Sequence, residues 1–171
     1  MPDAHLTDVS FTNLNLPESL ARGIADAGFE RCTPIQAQTL PRALAGFDVA
    51  GQAQTGTGKT AAFLVALYSR ILRSEVPPTR KVNAPLALII APTRELAMQV
   101  SRELGWLYGK AGARIATCVG GMDASKERRA LGQGVQIVVG TPGRLRDHLE
   151  RGALDLTALR VAVLDEADEM L

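Results

Sequence analysis

The chain has 171 residues, the length of one domain with a core of useful size. Apolar residues make up 46% and aromatic residues only 4%, so Ala, Leu, Val and Ile must fill that core, which suits a parallel sheet covered by helices. A net charge of +1 excludes a global field that draws in nucleic acid, so any such contact has to be local.

Residues 1–10 are polar and expected to be flexible. Met1 to His5 carry no basic segment followed by an apolar one, which argues against a signal peptide. No apolar run approaches the roughly 18 residues of a membrane helix. A cytoplasmic protein with no membrane partner is the expectation. Phe11 to Leu14 lead into a first helix that starts near Pro17. Its Leu20, Ile24 and Ala27 recur at helical spacing, and Gly28 caps its end. A second helix starts with Thr33 as N-cap and Pro34 in the first turn, and Pro41 should bend or interrupt it. Cys32 and Cys118 lie far apart without Cys-x-x-Cys spacing and read as buried, reduced thiols.

Asp48-Val49-Ala50-Gly51 reads as a short strand. Ala53-Gln54-Thr55-Gly56-Thr57-Gly58-Lys59-Thr60 follows it, and then an apolar helix from Ala61 to Leu72. Strand, glycine-rich turn and helix form the order a phosphate site needs. Gly56 and Gly58 let backbone N–H groups face oxygens, and the helix presents its positive dipole end. Lys59 adds a charge for the terminal phosphates, and Thr60 a hydroxyl ligand for Mg²⁺. The strict phosphate-loop pattern fails at one position, where Ala53 stands for glycine.

Residues 74–85 form a loop rich in proline and charge. Leu86 to Ile90 is a buried strand. Thr93 caps the next helix, whose Leu96, Val100, Leu104 and Leu107 share a face. Arg114 to Val119 is another strand, ending at Gly120-Gly121. The short helix through Lys126-Glu127-Arg128-Arg129 reads as a solvated charged face. Val135 to Val139 is a strand ending at Gly140-Thr141-Pro142-Gly143-Arg144, followed by a helix to about Arg151. Val161 to Leu164 is the last strand and ends at Asp165-Glu166-Ala167-Asp168. Strands alternate with helices, so an α/β fold with a mostly parallel sheet is expected, with its polar motifs at the carboxyl ends of strands. There Asp165 can hold Mg²⁺, directly or through water, opposite Thr60. Glu166 beside it can orient or deprotonate an attacking water.

These motifs together resemble the first RecA-like domain of a DEAD-box RNA helicase. The tetrapeptide that names the family stands as Asp165-Glu166-Ala167-Asp168. Gly28-Phe29-Glu30-Arg31-Cys32-Thr33-Pro34-Ile35-Gln36 matches the Q motif, and residues 53–60 match motif I with the family's own Ala53. Pro92-Thr93-Arg94-Glu95-Leu96 matches motif Ia, Gly120-Gly121 the glycine doublet, and Thr141-Pro142-Gly143-Arg144 motif Ib. The resemblance covers about residues 11–171. It implies a flexible terminus over 1–10, a Q-motif region over 11–36 and the RecA-like helicase domain over 37–171. The implied cofactors are ATP and Mg²⁺. Gln36 reads the adenine edge, Thr33 supports that loop, and Phe11 or Phe29, with Arg31, packs on the adenine face. Pro92, Thr93, Arg94, Gly120, Gly121, Thr141, Pro142, Gly143 and Arg144 contact the RNA sugar-phosphate backbone without reading sequence. Asp168 couples the two sites. Helix capping by Thr93 and Thr141 is the alternative reading of those two hydroxyls. Arg80-Lys81-Val82-Asn83 and Gly51-Gln52-Ala53-Gln54 look most like the bacterial member associated with RNA-degradation machinery.

Family members carry a second RecA-like domain with arginine fingers, and a Ser-Ala-Thr strand between the strands feeding Lys59 and Asp165. Neither follows Leu171, so the sequence reads as a domain truncated after motif II. It is expected to bind nucleotide, to hydrolyse it weakly alone, and to leave a gap or open edge in its sheet. A DNA-directed helicase and a non-catalytic ATP- or RNA-binding module are the alternatives. Gln36 with Thr33-Pro34-Ile35 argues against the first, and intact Lys59, Asp165 and Glu166 against the second.

Overall fold

The computed structural model describes residues 6–52, 60, 62–64, 66, 84–108 and 112–171. Ala53 to Lys59, and the charged loop over 74–83, lie outside the described residues. A 3-10 turn, Phe11–Leu14, leads to helices α1 (Glu18–Asp26) and α2 (Pro34–Leu44). Then come β1 (Ala87–Ile90), α3 (Arg94–Tyr108), β2 (Ile115–Cys118) and α4 (Ala124–Gln133). β3 (Ile137–Gly140), α5 (Pro142–Glu150), β4 (Val161–Leu164) and a 3-10 turn, Ala167–Met170, complete the order.

The helix boundaries follow local chemistry. After α1 the N–H of Gly28 reaches Ala25 O at 2.9 Å and that of Phe29 reaches Ile24 O at 3.1 Å, the paired bonds of a Schellman end. Leu20 and Ile24 bury the inner face of α1, whereas Ala27, its C-cap, is exposed. Thr33 is the N-cap of α2 and Pro34 its first residue. Of the bend or interruption expected at Pro41, the interruption does not occur: α2 continues through it to Leu44. The proline lies three residues from the end, where losing one backbone donor disturbs little of the ladder. Thr7 to Ser10, within the segment read as flexible, are tied to the chain at 30–32. Thr7 N–H donates to Cys32 O at 2.9 Å, Cys32 N–H to Val9 O at 2.8 Å, and Ser10 bridges Arg31.

The four strands form one all-parallel sheet in the order β2-β3-β1-β4. Alternation along the strands feeds two cores. Ala87, Ile89, Ile137 and Val139 face a cluster with Leu20 and Ile24 of α1, Leu40 of α2, and Val100, Leu104 and Leu107 of α3. Leu88, Val138, Ala116 and Cys118 face a second cluster with Leu131, Leu145 and Leu154. Helices therefore cover both faces, which explains the continuous apolar strands. Tyr108 joins the helix after the phosphate loop to α3 by donating its hydroxyl to Leu64 O at 2.5 Å.

Two places depart from the regular sheet. Residues 47–52, read from sequence as carrying a strand at Asp48–Gly51, form none and are exposed. The run pairs with no strand of the sheet, although β4 has a free edge among the described residues, and Gly51 lies against Ile35 and Thr39 of α2 instead. β4 pairs only with β1 among the described residues, and its Leu164 is 60% exposed, so the expected open edge lies there.

Candidate functional site

The register places Cys118, Gly140, Ile90 and Leu164 side by side at the carboxyl ends of the four strands. One further backbone bond braces each junction. Thr141 N–H donates to Cys118 O at 3.1 Å, Ala91 N–H to Gly140 O at 3.0 Å, and Asp165 N–H to Ile90 O at 2.9 Å. Gly120-Gly121, Thr141–Arg144, Pro92–Arg94 and Asp165-Glu166 thus leave the sheet at one level. With about 4.8 Å between strands, the first three cover roughly 10 Å. A sheet built of apolar residues that carry no chemistry has gathered four polar motifs from distant parts of the chain.

Asp165 is only 4% exposed, whereas Glu166 is half-buried. Glu166 sits in the left-handed region at φ 49° and caps the closing 3-10 turn, its carbonyl accepting from Glu169 N–H at 3.0 Å. That conformation costs a non-glycine residue about 1 kcal/mol, a strain that turns the chain sharply after the buried carboxylate. Asp168 is exposed within that turn. Thr60 is half-buried and helical, while Lys59 and its loop lie outside the described residues. A hydroxyl at Thr60 and a carboxylate at Asp165 are hard oxygen donors, the kind Mg²⁺ takes.

On the amino-terminal side, Gln36 is buried and its Oε1 accepts from Thr33 N–H at 2.9 Å. The amide read from sequence as facing adenine also closes its own loop. Phe11 is buried in the core, 6.5 Å from the Phe29 ring, and Phe29 lies 6.1 Å from Trp106. Phe29 and Trp106 are 40% and 42% exposed. The sequence reading missed Trp106, which lies between the apolar positions Leu104 and Leu107 of α3 and so gave no periodic signal. Arg31 is exposed and sits 3.6 Å from Asp8, a contact of small weight in solvent.

The candidate RNA-facing residues divide into two behaviours. Thr93 Oγ1 accepts from Leu96 N–H at 3.2 Å, so this hydroxyl does cap α3. Thr141 is the N-cap of α5 but its side chain makes no capping bond, which leaves its hydroxyl and the first N–H groups of that helix open. Among the described residues the N–H groups of Gly120, Gly121, Gly143 and Arg144 donate to no backbone or side-chain acceptor. Arg94 is exposed and reaches over the doublet, where its Nη2 donates to Met122 Sδ at 3.5 Å. Gly121 has φ +80°, a backbone conformation that calls for glycine, while the Arg94 tip that a Cβ would meet at 2.6 Å is the far end of a flexible, exposed side chain.

Arg144 behaves differently from the sequence expectation. Its Nε donates to Val119 O at 3.3 Å and its Nη2 to Met122 O at 2.8 Å. The guanidinium also lies 3.4 Å from Glu127 Oε1. Two of its five N–H donors are thus given to the doublet loop. Glu127, read as part of a solvated charged face, is 6% exposed. Its Oε2 accepts from Val119 N–H at 3.2 Å, and its Oε1 lies 2.7 Å from His148 Nε2. His148 is fully buried, and its other nitrogen has no hydrogen-bond partner among the described residues. Burial first, and the nearby Glu127 second, push the Cys118 thiol up to about 12. The signal for Glu127 was available. It stands four residues before the apolar Leu131, on the inner face of α4, and His148 likewise follows Arg144 by four on α5.

Residues 33–171 match the family model described as DEAD/DEAH box helicase. The chain belongs to the DEAD/DEAH box helicase family, and its parallel sheet with helices on both faces is the RecA-like α/β fold of that family. It is 51% identical over 171 residues to the ATP-dependent RNA helicase RhlB of Xanthomonas oryzae pv. oryzae, a match covering 99% of this chain and 30% of that protein. It is 44% identical over 170 residues to the ATP-dependent RNA helicase RhlB of Shewanella piezotolerans, covering 99% and 39% respectively. The chain thus spans about a third of the length of these curated relatives. No helix among the described residues is long and apolar enough to cross a membrane.

Proposed function

We propose that the chain is the ATP-binding part of an ATP-dependent RNA helicase, in which nucleotide hydrolysis is coupled to holding an RNA strand by its backbone. The observation that best supports the RNA side is the row of open N–H donors at Gly120, Gly121, Gly143 and Arg144, at the carboxyl ends of neighbouring strands and flanked by Arg94. Such a row suits consecutive phosphates and offers nothing that reads bases. In this reading Ala53 to Thr60 cradle the nucleotide phosphates. Gln36 and Thr33 shape the adenine pocket, while Phe11 or Phe29, with Arg31, covers the adenine face. Thr60 and Asp165 hold Mg²⁺, the latter through water, and Mg²⁺ when bound neutralises charge on the transferred phosphoryl group. Glu166 accepts the proton of the attacking water. Asp168, in the 3-10 turn that follows Glu166, couples the nucleotide to the RNA row. Pro92, Pro142 and the capped Thr93 shape that row. Further partners in this reading are a second RecA-like domain and an RNA-degradation complex, in the cytoplasm.

The two threonines test the RNA side. Thr141→Ala removes an uncommitted hydroxyl from the row and is expected to weaken single-stranded RNA binding about fivefold, with little change in thermal midpoint. Thr93→Ala removes a cap and is expected to cost about 1 kcal/mol of stability. Fluorescence anisotropy with a labelled RNA oligonucleotide, beside thermal melts, separates the two. RNA affinity unchanged by Thr141→Ala and by Arg94→Ala together contradicts the proposed RNA face.

A further inference from the structure

The helix after the doublet was read as a solvated charged surface, yet Glu127 is buried at the centre of a polar cluster that no phosphate or nucleotide role explains. Two hydrogen bonds and one ion pair converge on this one carboxylate: Val119 N–H at 3.2 Å, His148 Nε2 at 2.7 Å, and the Arg144 guanidinium, whose Nε lies 3.4 Å away while its N–H is given to Val119 O. Two of these lead straight to the doublet loop. Val119 is the residue before Gly120, and its N–H is held by Glu127. Its carbonyl is held by Arg144, as is that of Met122, the residue after Gly121. Both ends of the Gly120-Gly121 turn are therefore fastened from below, while the two glycine N–H groups stay open above. A carboxylate only 6% exposed is costly unless fully paired, so the pairing fixes one geometry.

We propose that Glu127 is a positioning residue for RNA binding: through Val119 and the Arg144 guanidinium fork it sets the glycine doublet against the amino end of α5, so that the open N–H groups of both turns face one strand. This rests on the RNA reading above. It reassigns Arg144 from direct phosphate contact to support of the loop. The donor atoms of Cys118, Glu127 and His148 lie within 4.8 Å of one another, a spacing that also suits a metal ion. Arg144 already supplies the positive charge there, and both carboxylate oxygens are engaged, so the Glu127 carboxylate is satisfied as part of an ion-paired network.

The test uses the full-length gene product with a single-stranded RNA oligonucleotide and a fluorescent ATP analogue. Glu127→Gln keeps the side-chain size and an acceptor for Val119 but removes the charge that orients Arg144. It is expected to weaken RNA binding about tenfold and to leave nucleotide affinity unchanged. Arg144→Lys keeps the positive charge but loses the fork that spans two carbonyls, and is expected to lose RNA affinity to a similar degree. The double variant is expected to bind RNA no worse than the weaker single one, because both changes release the same loop. RNA affinity preserved in Glu127→Gln, or preserved in Arg144→Lys, overturns the proposal, as does full additivity in the double variant. Should Glu127→Gln fail to fold, Arg144→Lys alone still decides. Loss of RNA affinity in Thr141→Ala and Arg94→Ala alongside either overturning result locates the failure in the positioning role. No loss in any variant locates it in the RNA reading itself.

Discussion

Glu166→Gln is expected to lower ATP turnover about 10²- to 10⁴-fold while nucleotide affinity is kept. The reason is the contrast between two adjacent carboxylates. Asp165 is buried, and its backbone N–H is locked to Ile90 O at 2.9 Å, so the main chain that carries this carboxylate is fixed at the end of β4. Glu166 is half-buried and held by a left-handed turn at φ 49°. One rigid and one accessible carboxylate suit a division of labour, a fixed ligand for the cation and a base with access to water. The amide of the variant keeps the size of the side chain and its place in the turn, but it cannot take up a proton. Turnover at saturating ATP and RNA, beside titration with a fluorescent ATP analogue, checks this. A variant that turns over normally removes Glu166 from the chemistry.

Gly140→Val is expected to cost about 3 kcal/mol or more in stability, which at this chain length lowers the thermal midpoint by roughly 6–12 °C. Even a single Cβ at Gly140 would stand 2.6 Å from Cys118 O and 2.7 Å from Leu145 side-chain atoms. The first of these is strand backbone and cannot give way without opening the β2–β3 pairing, where Cys118 and Gly140 are register partners. The second is a core side chain of α5. The glycine is there so that α5 can close on the sheet immediately after β3, which brings Thr141 and Gly143 to the level of the doublet. Thermal unfolding followed by circular dichroism measures the cost. A midpoint within 2 °C of the parent contradicts the packing described here, since about 1 kcal/mol shifts it by that amount.

Much of the fold was legible because each strand carries its own signal. Ala87–Ile90, Ile137–Gly140 and Val161–Leu164 are short apolar runs ending in polar turns, and a parallel sheet covered on both faces demands such runs. Thr33 with Pro34, and Gly28 after Asp26, fixed helix ends through local chemistry that needs no partner. The strand expected at Asp48–Gly51 failed because a strand is a relation between neighbours. Its residues have the right composition, yet the run pairs with neither edge of the sheet, β2 nor β4, and lies on α2 instead. Four of the motifs were legible as polar turns at strand ends, and the register explains how these four come to one level. What sequence could not separate was Thr93 from Thr141, since both precede a helix. Only the structure divides them, one hydroxyl capping its helix and the other left open. Glu127 was misread for a related reason. Its neighbours Lys126, Arg128 and Arg129 are exposed, and the helical period that turns Glu127 inward is outvoted by the charge of the run.

ATP turnover by the full-length gene product, with single-stranded RNA, with DNA of the same sequence and with neither, tests the functional assignment most directly. RNA is expected to raise turnover and DNA to leave it near the basal rate, with Glu166→Gln silent in all three. Equal stimulation by DNA, or no response to RNA from a folded, nucleotide-binding protein, contradicts an RNA-dependent helicase.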